Sequence, residues 1–118
     1  MAVHLELGKK GEQLAVDYLC ERGYSILFRN WKYSRFEIDI IALKDDMPHF
    51  VEVKMRSSNI HGDPEQNVTR KKIRCLLKAI NGFLIQHPQY RDFQLDVLSI
   101  TINTEGAVEY FMINDIYL

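Results

Sequence analysis

Too few cysteines, too few histidines and no long apolar run narrow what this chain can be. Cys20 and Cys75 are its only thiols. They lie far apart, without CxxC spacing, so a disulfide framework and a zinc site both lack material. Both fall in predicted helices and read as reduced, partly buried thiols. His4, His49, His61 and His87 are scattered and do not supply the missing ligands. No apolar stretch is long enough to span a bilayer. Met1 to Leu7 lacks the basic-then-apolar pattern of a secretory signal, so the expected compartment is the cytoplasm, away from membranes. Repeats, low-complexity tracts and linkers are also missing. The 118 residues suit one domain, 1–118, around one modest core. A net charge of −1 does not announce a nucleic-acid binder.

The distribution of charge says more than its sum. Arg70, Lys71, Lys72, Arg74 and Lys78 form a basic run with no acid among them. Arg29, Lys32 and Arg35 form a second, interleaved with Trp31 and Tyr33. Basic residues can grip phosphates and aromatic rings can stack on bases. Equally, the first run can be a solvated helix face and Trp31 can belong to a core.

Hydrophobic spacing sets out the elements. A helix is expected from about Leu7 to Arg22, stopped by Gly23. Strands follow at Tyr24 to Trp31, Phe36 to Leu43 and Phe50 to Lys54, with Asp45-Asp46 as the turn between the last two. Ser57 to Gln66, with Gly62 and Pro64, reads as a loop. Thr69 caps a second helix running to Gln86, whose apolar stripe is Ile73, Leu76, Leu77, Ile80 and Leu84. Phe93 to Thr104 and Val108 to Ile113 are the last strands, joined through Glu105-Gly106. The order is αβββαββ, an α/β fold with a mixed five-stranded sheet flanked by helices.

Strand alternation then groups the acids. Glu37, Asp39 and Ile41 are expected on one face of the second strand, and Phe50, Glu52 and Lys54 on one face of the third. A two-residue turn at Asp45-Asp46 places Asp39 opposite Glu52 and Glu37 opposite Lys54. A bulge at Pro48 would shift that register. Directly opposed carboxylates repel unless something positive lies between them. A hard divalent cation, Mg²⁺ or Mn²⁺, is the natural candidate. Lys54 on the same side can hold a water or stabilise charge on a phosphate, which completes a toolkit for metal-assisted phosphodiester hydrolysis. The competing reading is a wet strand face with a cross-strand Glu37–Lys54 pair. Glu12 groups with Ala15, Val16 and Leu19 on the helix stripe facing the sheet. A carboxylate there is costly unless it is paired or metal-bound.

Taken in order, Gly8-x-x-Gly11-Glu12-x-x-Ala15, Arg29-Asn30-Trp31, Glu37-Ile38-Asp39-Ile40-Ile41-Ala42 and Val51-Glu52-Val53-Lys54 resemble the YraN family of small bacterial proteins of uncharacterised function. The resemblance continues through Gly62, Pro64, Val68, Lys72 and Asp96-Val97. It implies a restriction-endonuclease-like fold of the PD-(D/E)xK superfamily, similar to archaeal Holliday junction resolvases. By that resemblance Asp39 and Glu52 are metal ligands with the Val53 carbonyl, Lys54 is the catalytic lysine, and Glu12 is the helix acid of the metal site. Glu37 is a motif member without an implied role. Phe36 stands where the family usually has glycine.

The function expected from these residues is a Mg²⁺- or Mn²⁺-dependent DNA endonuclease, acting on branched or damaged DNA. Catalysis would rest on Asp39, Glu52, Lys54 and Glu12, and DNA contact on Lys71, Lys72, Arg74, Arg29, Lys32 and Arg35. A homodimer is compatible with so short a chain. The alternatives are a non-catalytic nucleic-acid-binding module that keeps the fold, and a protein-interaction scaffold.

Overall fold

A computed structural model describes residues 2–57 and 69–116, with the side chains of the first helix described from Lys10 onward. Helix α1 (Ala2–Glu21) leads into strands β1 (Ser25–Tyr33), β2 (Phe36–Lys44) and β3 (Met47–Ser57). Helix α2 (Arg70–Gln86) precedes β4 (Gln94–Ile102) and β5 (Val108–Ile113). This is the expected αβββαββ order. The loop expected from Ser57 to Gln66, with Gly62 and Pro64, lies outside the described residues apart from Ser57, which ends β3, and so does the motif residue Val68.

The five strands pair in sequence order, β1-β2-β3-β4-β5. All neighbours are antiparallel except β3 and β4, which run parallel. Parallel neighbours need a crossover, and α2 supplies it. Thr69 caps α2 by accepting a hydrogen bond from the Lys72 amide. Gly23, at φ +88°, ends α1 in the left-handed conformation that glycine adopts readily.

Each helix covers one face of the sheet. Against α2 pack Ile38, Ile41, Phe50 and Leu95, gathered around Ile73, Leu76, Ile80 and Phe83. Against α1 pack Ile40, Ala42, Val51, Leu98 and Ile100, gathered around Ala15 and Leu19. Strand β3 is therefore buried on both sides, and that is why polar groups on it carry consequences. Two close approaches fix the helices. A Cβ on Gly82 would overlap the Tyr33 ring, and one on Gly11 would overlap the Met55 thioether.

Asp45 and Asp46 both take positive φ, +52° and +63°, as a type I′ hairpin turn requires. The β2–β3 register is the expected one, from Lys44↔Met47 to Ile40↔Val51, with no bulge at Pro48.

The alternation along β2 is not the expected one. Ile38 and Ile41 both face α2, while Ile40 and Ala42 face α1. An uninterrupted strand would put Ile38, Ile40 and Ala42 on one face. The period breaks around Asp39, so Glu37, Asp39 and Ile41 do not share a face. Across the ladder, Asn30 takes φ +51° in the gap between the Arg29↔Ile40 and Trp31↔Ile38 pairs. Asparagine tolerates that conformation better than most residues.

Cys20 is exposed and Cys75 half-buried, and both are free, so the expectation of two partly buried thiols holds only for Cys75. No described helix is long and apolar enough to cross a membrane.

Candidate active site

The β2–β3 ladder ends at Ile40↔Val51. One residue further, the Asp39 side chain takes over from the backbone. Its Oδ2 accepts the Val53 amide hydrogen at 2.8 Å. The Glu52 carboxyl lies beside that of Asp39, close enough to act on its protonation. Asp39, Glu52 and Val53 therefore meet where the two strands part.

Two carboxylates this close must share a proton or a cation. Asp39 is pushed up to about 8. Burial is the largest cause, followed by the neighbouring Glu52 carboxyl and the repulsion of its charge. The Val53 amide and Lys72 pull the other way and do not prevail. Glu52 is itself buried, 5% exposed. Its Oε2 lies 3.4 Å from Lys72 Nζ, close enough for charge attraction. The contact lacks hydrogen-bond geometry, and Oε2 is a buried oxygen with no hydrogen-bond partner. Burying charge without full pairing is costly. The donor set is hard oxygen throughout, which fits Mg²⁺ or Mn²⁺ in place of the shared proton.

A cavity of about 250 Å³ opens beside Asp39, lined by Glu12, Asp39, Val53 and Met55; Glu52 is not part of its lining. Glu12 borders the site as expected, but it is held elsewhere. Its Oε1 accepts from Arg29 Nε at 2.9 Å and from Asn30 Nδ2 at 2.9 Å. Among the described residues, no three His, Cys, Asp or Glu side chains are grouped closely enough to hold a metal. The expected convergence of Glu12, Asp39 and Glu52 on one point is thus not present. Two carboxylates meet, and the third is drawn off by a guanidinium. The Arg29 assigned to DNA is, in this arrangement, the partner of Glu12.

Lys54 is half-buried and lies opposite Ser99 of β4. With Phe50 facing α2 and Val51, Val53 and Met55 facing α1, alternation keeps Lys54 on the Glu52 side. Glu37 is exposed and beyond the end of the β2–β3 ladder, so the cross-strand Glu37–Lys54 pair does not form in it. The described ion pairs are Arg29–Glu12 and Lys72–Glu52, and His49 contacts Asp96 through Nδ1.

Lys71, Lys72 and Arg74 are exposed on α2, and Lys32 on β1 and Arg35 in the turn that follows it are exposed too. Trp31 packs edge-on against Phe83, with ring centroids 5.4 Å apart, and so serves the core. Sequence reasoning gave Asn30 no role beyond its place in the Arg29-Asn30-Trp31 motif, and it missed Met55. The left-handed backbone of Asn30 is not readable from the sequence beyond its being asparagine. Met55 reads as an ordinary strand residue until Gly11 is seen beneath it.

All the candidate residues fall inside the segment 11–100, which matches the profile of a family described as uncharacterised protein family UPF0102. A UPF0102 protein of Flavobacterium psychrophilum is 43% identical over 112 residues, which cover 94% of each chain. One of Flavobacterium johnsoniae is 45% identical over 97 residues, covering 82% of this chain and 77% of that protein. One of Bacteroides thetaiotaomicron is 43% identical over 97 residues, covering 82% and 75%. By this family match and by relatives of nearly its own length, the chain belongs to UPF0102, the YraN family whose motifs its sequence carries.

Proposed function

We propose that the protein is a metal-dependent DNA endonuclease of restriction-endonuclease-like type, hydrolysing phosphodiester bonds in branched or damaged DNA. The observation that carries this reading is the Asp39–Glu52 carboxyl pair at the parting of β2 and β3, with Asp39 half-buried, Glu52 buried and the Glu52 Oε2 without a hydrogen bond. Asp39, Glu52 and the Val53 carbonyl would hold Mg²⁺ or Mn²⁺. The ion would polarise the scissile phosphate and acidify the attacking water.

The chain's own residues supply the rest. Lys54, on the Glu52 side of β3, serves to orient the water and to offset the negative charge on the phosphoryl and leaving oxygens as the water oxygen bonds to phosphorus and the P–O bond to the sugar oxygen breaks. Glu12, released from Arg29, would add a third carboxylate to these ligands. Arg29 would then be free for a DNA phosphate. Lys71, Lys72 and Arg74 on α2 and Lys32 and Arg35 near β1 would hold the flanking backbone.

One observation favours a non-catalytic nucleic-acid-binding module instead. The cation within 4 Å of Glu52 is Lys72 from α2, not Lys54. Cleavage assays on linear, single-stranded and branched DNA with Mg²⁺ or Mn²⁺ separate the two. The nuclease reading expects cuts by the wild type and none by Glu52→Gln, with partial rescue by excess Mn²⁺. Binding without cutting on every substrate selects the module. In either case affinity falls with salt, and Lys71→Ala with Arg74→Ala lowers the log–log slope by about 0.9 per lost duplex phosphate contact. An unchanged slope moves the DNA surface to Lys32 and Arg35.

A further inference from the structure

A second cavity, of about 340 Å³, opens on the α2 side of the sheet and is lined by Arg35, Phe36, Glu37, Lys72, Cys75 and Leu76. Its volume falls within the range of sites for small organic groups. Phe36 is half-buried and packs against the α2-side core, so one part of the ring is anchored while another borders the cavity. Two cations attend that ring. The Arg35 guanidinium carbon is 5.4 Å from its centroid and Lys78 Nζ is 5.8 Å away. Lys72 forms part of the lining and also reaches Glu52 at 3.4 Å. One side chain therefore joins this cavity to the acid pair.

The lining combines an aromatic surface with a positive border. Arg35 and Lys72 line it, Lys78 stands over the ring, and Glu37 is the single acid. Flat aromatic surfaces take nucleobases by stacking, and neighbouring cations take the phosphates of the same strand. A base inside a duplex is stacked on both faces and paired at its edge, so it cannot enter such a cavity without being extruded. An unpaired base can enter directly.

We propose that this cavity seats an unpaired nucleobase of the DNA strand, stacked on Phe36, with its phosphates held by Arg35 and Lys72. The proposal rests on the nuclease reading and names its substrate class. That class is DNA carrying an unpaired nucleotide beside the scissile bond, as in a flap, a bulge or a single strand. Stacking on a phenyl ring is tolerant of sequence, so no base is preferred strongly.

The test compares a labelled single-stranded 12-mer with a duplex of the same sequence by fluorescence anisotropy, in chelator, so that no cleavage intervenes. Phe36→Ala should weaken single-strand binding by about tenfold or more, the usual loss of one stacked base. Duplex affinity should change by less than about twofold. Phe36→Trp should keep or strengthen single-strand binding. Equal single-strand affinity for wild type and Phe36→Ala overturns the proposal, and so does an equal loss for both DNAs. Cys75 gives a second measurement should Phe36→Ala fail to fold. In a Cys20→Ser protein, the single strand should slow the reaction of Cys75 with a thiol reagent and the duplex should not; no protection by the single strand overturns the proposal. The two ideas fail separately. Cleavage that proceeds with no Phe36 dependence and no Cys75 protection removes the pocket and leaves the nuclease. Phe36-dependent single-strand binding with no cleavage in Mg²⁺ or Mn²⁺ removes the nuclease and leaves the pocket.

Discussion

Asp96 on β4 and Glu52 on β3 are acids on neighbouring strands, 0% and 5% exposed, and the protein treats them in opposite ways. Asp96 is surrounded by partners of the protein's own. Its Oδ2 contacts His49 Nδ1 at 2.9 Å. Its Oδ1 accepts from Gln94 Nε2 at 3.0 Å and from the Asp115 amide at 2.8 Å. Both oxygens are satisfied, and the acid ties the start of β3 to the segment after β5. Glu52 meets another carboxyl, Asp39, and leaves Oε2 without a hydrogen bond. Buried polar groups in folded proteins are nearly always satisfied, so an exception calls for a partner from outside. Asp96 reads as structure, and Asp39–Glu52 is the pair at which the proposed cation would sit.

The largest expected effect tests the structural half of this contrast. Asp96→Ala strips the acceptor from His49, Gln94 and the Asp115 amide together. Leaving such groups unpaired should cost about 3 kcal/mol, and the melting midpoint should drop by roughly 10 °C or more. Asp39→Asn, measured in chelator, should leave the midpoint near wild type at about pH 4, because a neutral amide replaces a protonated carboxyl of the same shape. It should raise the midpoint at higher pH, where wild type must hold that proton to fold or, above about pH 8, lets an ionised Asp39 repel Glu52. Equal losses in the two variants would erase the contrast.

Next comes catalysis. Lys54→Ala should bind DNA yet cleave it at least about a hundredfold more slowly, the low end for a positioned acid–base or electrostatic group. A lysine that acts on the transition state lowers turnover more than affinity. Equal losses in binding and turnover would make Lys54 another phosphate contact.

Stability against pH gives a further contrast of the same kind. In the folded, metal-free protein Asp39 keeps its proton up to about pH 8, whereas its ordinary value is 3.8. Between those values the folded state binds a proton that the unfolded state has released. Stability from this group is therefore fully present below about pH 4 and is lost as pH rises through about 8. One proton sets the limit, at most about 2.7 kcal/mol over the two units from pH 6 to pH 8. Melts in chelator should show wild type losing ground to Asp39→Asn across that range, and saturating Mn²⁺ should abolish the trend. Parallel curves for the two proteins in chelator would mean that Asp39 is already ionised in the fold.

Much of this was legible in the residues. The element order, the Thr69 cap, the Asp45-Asp46 turn and the β2–β3 register follow from local chemistry, because turn type and hydrophobic period leave few alternatives. The pairing of Asp39 with Glu52 was legible for the same reason. The break in alternation around Asp39 was not, because a period of two assumes an uninterrupted ladder. Nor was the diversion of Glu12 to Arg29 and Asn30, since it depends on where α1 crosses β1. His49 looked isolated in sequence. Its partner Asp96 lies far along the chain and comes beside it only through the parallel β3–β4 pairing.

The smallest effect probes the one positive charge that the protein itself lends to the deficient pair. Lys72 reaches Glu52 across 3.4 Å, but its side chain is 44% exposed, and water screens much of the attraction. Lys72→Ala should therefore change metal-free stability by no more than about 1 kcal/mol. Direction matters more than size. The Lys72 charge lowers the Asp39 pKa, so its removal should shift the pH-dependent loss of stability to higher pH. A saturating divalent cation should narrow the difference between the two proteins, because the ion supplies the charge that Lys72 lends only in part. If Lys72→Ala instead destabilises the fold as much as Asp96→Ala, then Glu52 is the anchor of a structural ion pair, its lack of a hydrogen bond is tolerated without a metal, and the two acids differ only in how well they are satisfied.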